Sequence, residues 1–103
     1  MIHELRTYTI NEGKMEEWLR VFEKELIPLH KAHRIPILAA WQNTDSPNEF
    51  VWVRSFHDPE HQKSARAVLY GSDAWKAMQD RVRALIAKVE QRNVAPTSFS
   101  PLK

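Results

Sequence analysis

Apolar residues along this chain follow two different periods, which separate its strands from its helices. Ile2–Ile10 reads as a first strand rich in β-formers (Thr7, Tyr8, Thr9, Ile10), closed by the turn Asn11-Glu12-Gly13. Met15, Trp18, Leu19, Phe22, Leu26 and Leu29 then recur at i, i+3, i+4, i+7, i+11 and i+14, the stripe of an amphipathic helix. Pro28 should bend that helix on its way to His33. Residues 35–42 and Glu49–Phe56 read as two further strands, joined by a loop dense in turn formers at 43–48. Asp58-Pro59-Glu60 supplies an N-cap, a first-turn proline and a first-turn acid, so a helix should start there. Ala65, Val68 and Leu69 are expected inward, with a stop at Gly71. Ser72-Asp73 caps a second helical piece that turns Trp75, Met78, Val82 and Leu85 to the core.

Two of these strands break the alternation expected of a sheet with one wet face. Phe50, Trp52 and Phe56 occupy the even positions of the third strand, while Val51 and Val53 occupy odd ones; Ile37-Leu38-Ala39-Ala40-Trp41 repeats the pattern. Both sides of the sheet therefore need cover. A chain of 103 residues has helices for one side, and a second copy is the simplest cover for the other.

The last segment reads two ways. Ile86 and Val89 extend the helical period of Trp75, Met78, Val82 and Leu85, yet residues 89–94 also suit a strand. With a strand there, the order is β-α-β-β-α-β, a single ferredoxin-like α+β domain with a four-stranded antiparallel sheet.

Composition narrows the function classes. Fifteen Lys and Arg against thirteen Asp and Glu leave a net charge of +2, too even to call for nucleic acid or a membrane surface. With no cysteine, disulfides, thiol catalysis and cysteine metal sites are excluded. The longest near-apolar run, 35–41, contains Pro36 and is too short for a bilayer. The chain opens directly on a strand pattern, without a leader, so a cytoplasmic protein is expected. Only two glycines are present, both at element boundaries, so no phosphate-binding glycine loop exists and no cofactor is expected.

Several short stretches resemble the NIPSNAP family. They are Glu4-Leu5-Arg6-Thr7-Tyr8-Thr9 followed by Gly13-Lys14, Ile27-Pro28-Leu29, Trp41, Asn48-Glu49 leading into Trp52, Arg66, Trp75, and the closing run from Pro96 through Phe99-Ser100-Pro101 to Leu102. The resemblance spans nearly the whole chain, as one NIPSNAP-like domain over residues 1–103. It implies the dimeric α+β-barrel superfamily, a homodimer formed through the sheet face, and a fourth strand near 86–94. That superfamily includes cofactor-free monooxygenases, small-ring isomerases, haem-handling proteins and stress-response dimers; the family itself has no established reaction.

Alternation sorts the candidate chemistry onto two faces. Glu4, Arg6 and Tyr8 share one side of the first strand; Trp52, Arg54 and Phe56 form a similar set, and Trp41 is grouped with Ile37 and Ala39. These sets are expected to face a pocket between sheet and partner, with Arg6 and Arg54 forking onto a carboxylate or polarised carbonyl and Tyr8 donating a proton or hydrogen bond. The small aliphatics Leu5, Val51, Val53, Leu38 and Ala40 are expected under the helices. The competing reading makes the arginines structural, paired with Glu4 or stacked on Trp41 and Trp52. For Glu4, burial would raise the pKa and the arginines would lower it. No metal site is expected; His30 and His33, three residues apart, offer a haem-binding alternative. The leading expectation is a small-molecule enzyme or metabolite binder, narrowed to a cofactor-free monooxygenase- or isomerase-like activity. The alternative is a non-catalytic interaction or stress-response module.

Overall fold

The computed structural model describes residues 1–103. Its elements are β1 (Ile2–Ile10), α1 (Met15–Val21), a π-helical turn (Phe22–Leu26), α2 (Ile27–Ala32), β2 (Ile37–Gln42), β3 (Glu49–Phe56), α3 (Pro59–Gly71), α4 (Asp73–Leu85) and β4 (Ile86–Val94). The strands form one antiparallel sheet in the order β2-β3-β1-β4, the ferredoxin-like arrangement.

The helix boundaries follow their local chemistry. Asp58 caps α3 by accepting from the His61 N–H, and the Ser72 hydroxyl caps α4 by accepting from Trp75 N–H. Pro28 does not end the first helix. The Ile27 N–H reaches back to the Phe22 carbonyl across a widened turn, and the helix runs on to Ala32. Val68 departs from expectation and points to solvent, leaving Leu69 as the buried anchor of α3.

The last segment is a strand. Two bonds from the first turn stop α4: Asn11 N–H donates to the Leu85 carbonyl, and the Asn11 side-chain amide donates to the Ala84 carbonyl. Chain direction changes at Ile86, and β4 runs antiparallel beside β1 from Ile86 opposite Ile10 to Val94 opposite His3. A helical period in residues 86–89 is therefore overruled by a long-range cap and a waiting ladder.

The helices cover one face of the sheet. Trp18 and Phe22 interlock with Phe50, and Phe22 also packs on Trp52, at ring-centroid separations of 4.9–5.8 Å. Tyr8, Ile10, Phe56, Leu69, Trp75, Met78, Val82 and Leu85 join this core, with Val21, Leu26, Leu29 and Ile35. The opposite face has no helix. Leu5 lies opposite Val53, and Trp41 opposite Val51, with Trp41 56% exposed and Leu38 46% exposed. The tail after β4 borders this open face, where Pro96 and Leu102 join Leu5, Leu38 and Trp41 around an apolar groove of about 480 Å³.

The face assignment thus inverts the sequence expectation. The aromatic-and-arginine set lies under the helices, and Leu5, Leu38 and Val53 line the open side; of the small aliphatics, Ala40 alone keeps its expected place, paired with Trp52 beside Phe22 and Phe50. Trp41 also parts from Ile37: the β2–β3 register slips between Ile37 and Ala39, so Ile37 pairs with Arg54 but Trp41 pairs with Val51. One irregularity turns the remainder of β2 over relative to its neighbour.

Candidate functional site

Beneath the helices, β1 and β3 bring Glu4, Arg6 and Arg54 together. Glu4 and Arg54 are cross-strand partners, and Arg6 follows Glu4 two residues along the same face. Glu4 Oε1 accepts from Arg54 Nε at 2.8 Å and from Arg6 Nη1 at 2.9 Å. Its Oε2 accepts from Gln62 Nε2 at 2.7 Å and lies 3.5 Å from Arg66 Nη1. Burial pushes the Glu4 carboxyl upwards, but Arg54, Gln62 and Arg6 outweigh it and hold the group below the usual carboxylate range. Glu4 is therefore a fixed anion rather than a proton acceptor for a ligand.

Arg54 is fully committed to the fold. Besides Glu4 it donates to His30 Nε2 at 3.0 Å and to the Tyr70 hydroxyl at 2.9 Å, and its guanidinium lies over Trp52, Phe56 and Tyr70. Arg54 thus pairs with Glu4, and its stacking surface is Trp52 rather than Trp41. His30 Nδ1 donates to the Leu26 carbonyl at 2.8 Å, which fixes its tautomer and leaves Nε2 as the acceptor for Arg54. Burial, assisted by Arg54, lowers the His30 pKa to about 4, so the ring is neutral. Both its nitrogens are occupied, and the structure gives it no free ligand atom for a haem iron.

Between the sheet and α3–α4 lies a cavity of about 420 Å³. Arg6 and Tyr8 from β1, Arg66 and Tyr70 from α3, and Gln79 and Arg83 from α4 supply its polar wall; Trp75, Val82, Ile86 and Val89 supply the apolar one. The hydrogen bonding here is lopsided. Tyr8 Oη accepts from Arg6 Nε at 3.0 Å and Tyr70 Oη accepts from Arg54 Nη2, while neither phenol donates to a protein atom. Arg6 spends Nε and Nη1 on Tyr8, Glu4 and Gln91, and its Nη2 has no protein partner. With the Gln79 amide turned to present its oxygen, that oxygen accepts from both terminal nitrogens of Arg83 at 2.7 and 2.6 Å. No carboxylate lines the cavity. Burial raises the Tyr8 pKa, which keeps it a phenol able to donate. The wall thus presents donors and almost no free acceptor, and it suits a carbonyl, carboxylate or other oxyanion.

Below the cavity, Tyr8, Tyr70, Trp75 and Val82 also border a void of about 20 Å³ that Trp18 and Trp52 help to line. The two indole N–H groups are buried without a partner. The void has room for about one water molecule.

Of the six sequence candidates, Arg6 and Tyr8 reach the cavity directly. Glu4, Arg54 and Trp52 stand behind it as its support, and Trp41 is on the other face of the sheet. Tyr70, Gln79 and Arg83 were not anticipated. Their signal was present as two i,i+4 polar pairs, Arg66–Tyr70 on α3 and Gln79–Arg83 on α4.

A family model, NIPSNAP, matches residues 3–101. No curated protein matches the chain. Among solved structures, a NIPSNAP family protein of unknown function from Agrobacterium tumefaciens is 30% identical, with a TM-score of 0.92 over 100% of this chain and 94% of that one. An uncharacterised NIPSNAP domain protein from Burkholderia xenovorans is 25% identical, with a TM-score of 0.89 over 98% of this chain and 99% of that one. An antibiotic biosynthesis monooxygenase shares the fold at 13% identity, with a TM-score of 0.71 over 94% of this chain and 99% of that one. The protomer fold is that of the dimeric α+β-barrel proteins. No helix is long and apolar enough to cross a membrane.

Proposed function

This chain belongs to the NIPSNAP family, and from that premise we propose that it acts as a homodimer in which each protomer binds a small, partly apolar oxyanion in the cavity between the sheet and α3–α4. The observation that carries this reading is the donor-only polar wall. Arg6 Nη2 and the Tyr8 and Tyr70 hydroxyls are held in place by Glu4, Arg6 and Arg54, and none of these three donors has a protein acceptor. The exposed Leu38 and Trp41 on the open side of the sheet support the second half of the reading, because a patch of that kind favours a partner, and a copy of the same chain is the simplest one.

Such a site holds and polarises a ligand that brings its own reactive electrons. The wall contains no free base, so a catalytic version would act on a molecule that arrives as an enolate, phenolate or comparable anion. Arg6 would neutralise the oxygen, the phenols would share its charge, and Trp75 with Val82 would cover the apolar part. That is the cofactor-free monooxygenase- or isomerase-like reading. A metabolite binder uses the same contacts without turnover.

A thermal-shift screen of small carboxylates, quinols and lactones tests the binding claim. A true ligand raises the melting temperature in step with saturation. Arg6→Met and Tyr8→Phe should each remove most of that gain, the second while keeping the ring in the core. A ligand whose effect survives both changes, or a screen without any gain, would leave the non-catalytic interaction module as the better description.

A further inference from the structure

The cavity carries more positive charge than the protein itself neutralises. Glu4 is the one carboxylate in contact with its arginines, and it is already shared with Arg54, itself fully buried. Arg66 stands 3.5 Å from Glu4 without a hydrogen bond to it, and it is half-buried. Arg83 forms no ion pair; its two terminal nitrogens are steadied by the neutral Gln79 oxygen. Against one carboxylate there are thus four guanidinium groups, of which Arg6, Arg66 and Arg83 line the cavity.

We propose that the ligand is a dianion bearing two separated acidic groups on one apolar body, the first seated on Arg6, Tyr8 and Tyr70 and the second on Arg66 and Arg83. This proposal rests on the assignment of the cavity as the binding site. A single carboxylate engaging the free Arg6 Nη2 leaves Arg83 without an anion and Arg66 with only a distant share of Glu4. A second acidic group would give them charge-assisted hydrogen bonds, and planar guanidinium forks suit carboxylates well. The apolar wall of Trp75, Val82, Ile86 and Val89 suits the body that joins the two groups. Both charges on one head group, as in a phosphate monoester, would crowd one end of the site and leave the other unpaired.

Three probes of similar body test this with the full chain: benzoate, isophthalate and phenyl phosphate, titrated by calorimetry at low and high salt. Isophthalate should bind about tenfold more tightly than benzoate at low salt, the worth of one added charge-assisted contact. That ratio should shrink as salt rises, because the Arg83 end is open to solvent. Arg66→Gln and Arg83→Gln should each weaken isophthalate several-fold more than benzoate, while Arg20→Gln on the exposed face of α1 should leave the ratio intact. Equal affinities for benzoate and isophthalate would overturn the two-ended ligand, as would phenyl phosphate binding the tightest. A ratio unmoved by both glutamine variants would overturn it too. If none of the three binds, the site assignment itself fails, and that outcome is distinguishable from binding without preference.

Discussion

On the helix side of the sheet, Glu4, Arg6 and Arg54 lie among Phe50, Trp52 and Phe56, and all six are buried. On the opposite side, Leu5, Val51, Val53 and Trp41 carry no charge at all, and Trp41 stands more than half exposed. Within one protomer, a cluster of paired charges lies in the dry layer while large apolar side chains stand in the open. The difference teaches that pairing, rather than polarity, decides what this fold encloses. A lone buried charge is prohibitive, but each charge here meets a counter-charge and several hydrogen-bonding groups, most of them supplied by the helices. His30, Gln62 and Tyr70 complete the strand residues' hydrogen bonds, and Arg66 adds its charge 3.5 Å from Glu4. The open face keeps its charges, Lys88, Glu90 and Arg92, on β4 and in solvent, where they pair with each other or with water and need nothing from the helices.

The most severe way to break this contrast is to unpair the charged side. Glu4→Ala strands Arg54 in the core without its anion. The expected loss is about 3–5 kcal/mol of folding stability, read by chemical denaturation. A change below about 1 kcal/mol would mean that the network contributes little beyond its packing.

Acid should attack the same side next. The His30 pKa is lowered from 6.5 to about 4 in the folded protein, so the unfolded chain takes up its proton first. Stability from this group is full above pH 6.5 and declines as pH falls towards 4, by about 3 kcal/mol across the window. The depressed Glu4 pKa adds a further loss only below its ordinary value of 4.5. Replacing His30 with Gln should remove most of the slope between pH 6.5 and 4 in a series of denaturation curves.

The mildest probe addresses the open side. Trp41→Ser should weaken the proposed homodimer by about 2 kcal/mol, with the protomer's melting behaviour little changed at high concentration. Sedimentation over a dilution series would reveal it. An unaltered dimer would move the contact elsewhere on the molecule, and a protomer that unfolds would show that Trp41 serves the fold itself.

Most of the architecture could be read from local patterns, because helix stripes and cap residues are local signals. Asp58-Pro59 and Ser72-Asp73 announced their helices, and Trp75, Met78, Val82 and Leu85 announced their face. Three features lay beyond such reading. β4 depends on Asn11, which ends α4 from across the fold. The orientation of Trp41 depends on a register slip that no residue type betrays. The face assignment failed because small aliphatics suit helix packing in general, whereas here the helices carry the partners that Glu4, Arg6 and Arg54 need. At the cavity, strand alternation located Arg6 and Tyr8 but was silent about the helical half of the wall.

A carboxylate that serves three guanidinium groups has a consequence for how this protein can vary. Position 4 is not an independent character: its side chain is the common creditor of positions 6, 54 and 66, which lie on two strands and a helix. Randomising position 4 alone should yield libraries poor in folded members, because it strands the buried Arg54, whereas joint randomisation of positions 4 and 54 should recover neutral, hydrocarbon-filled solutions. Change at this spot would come in blocks, and each block would redraw the chemistry of the cavity above it.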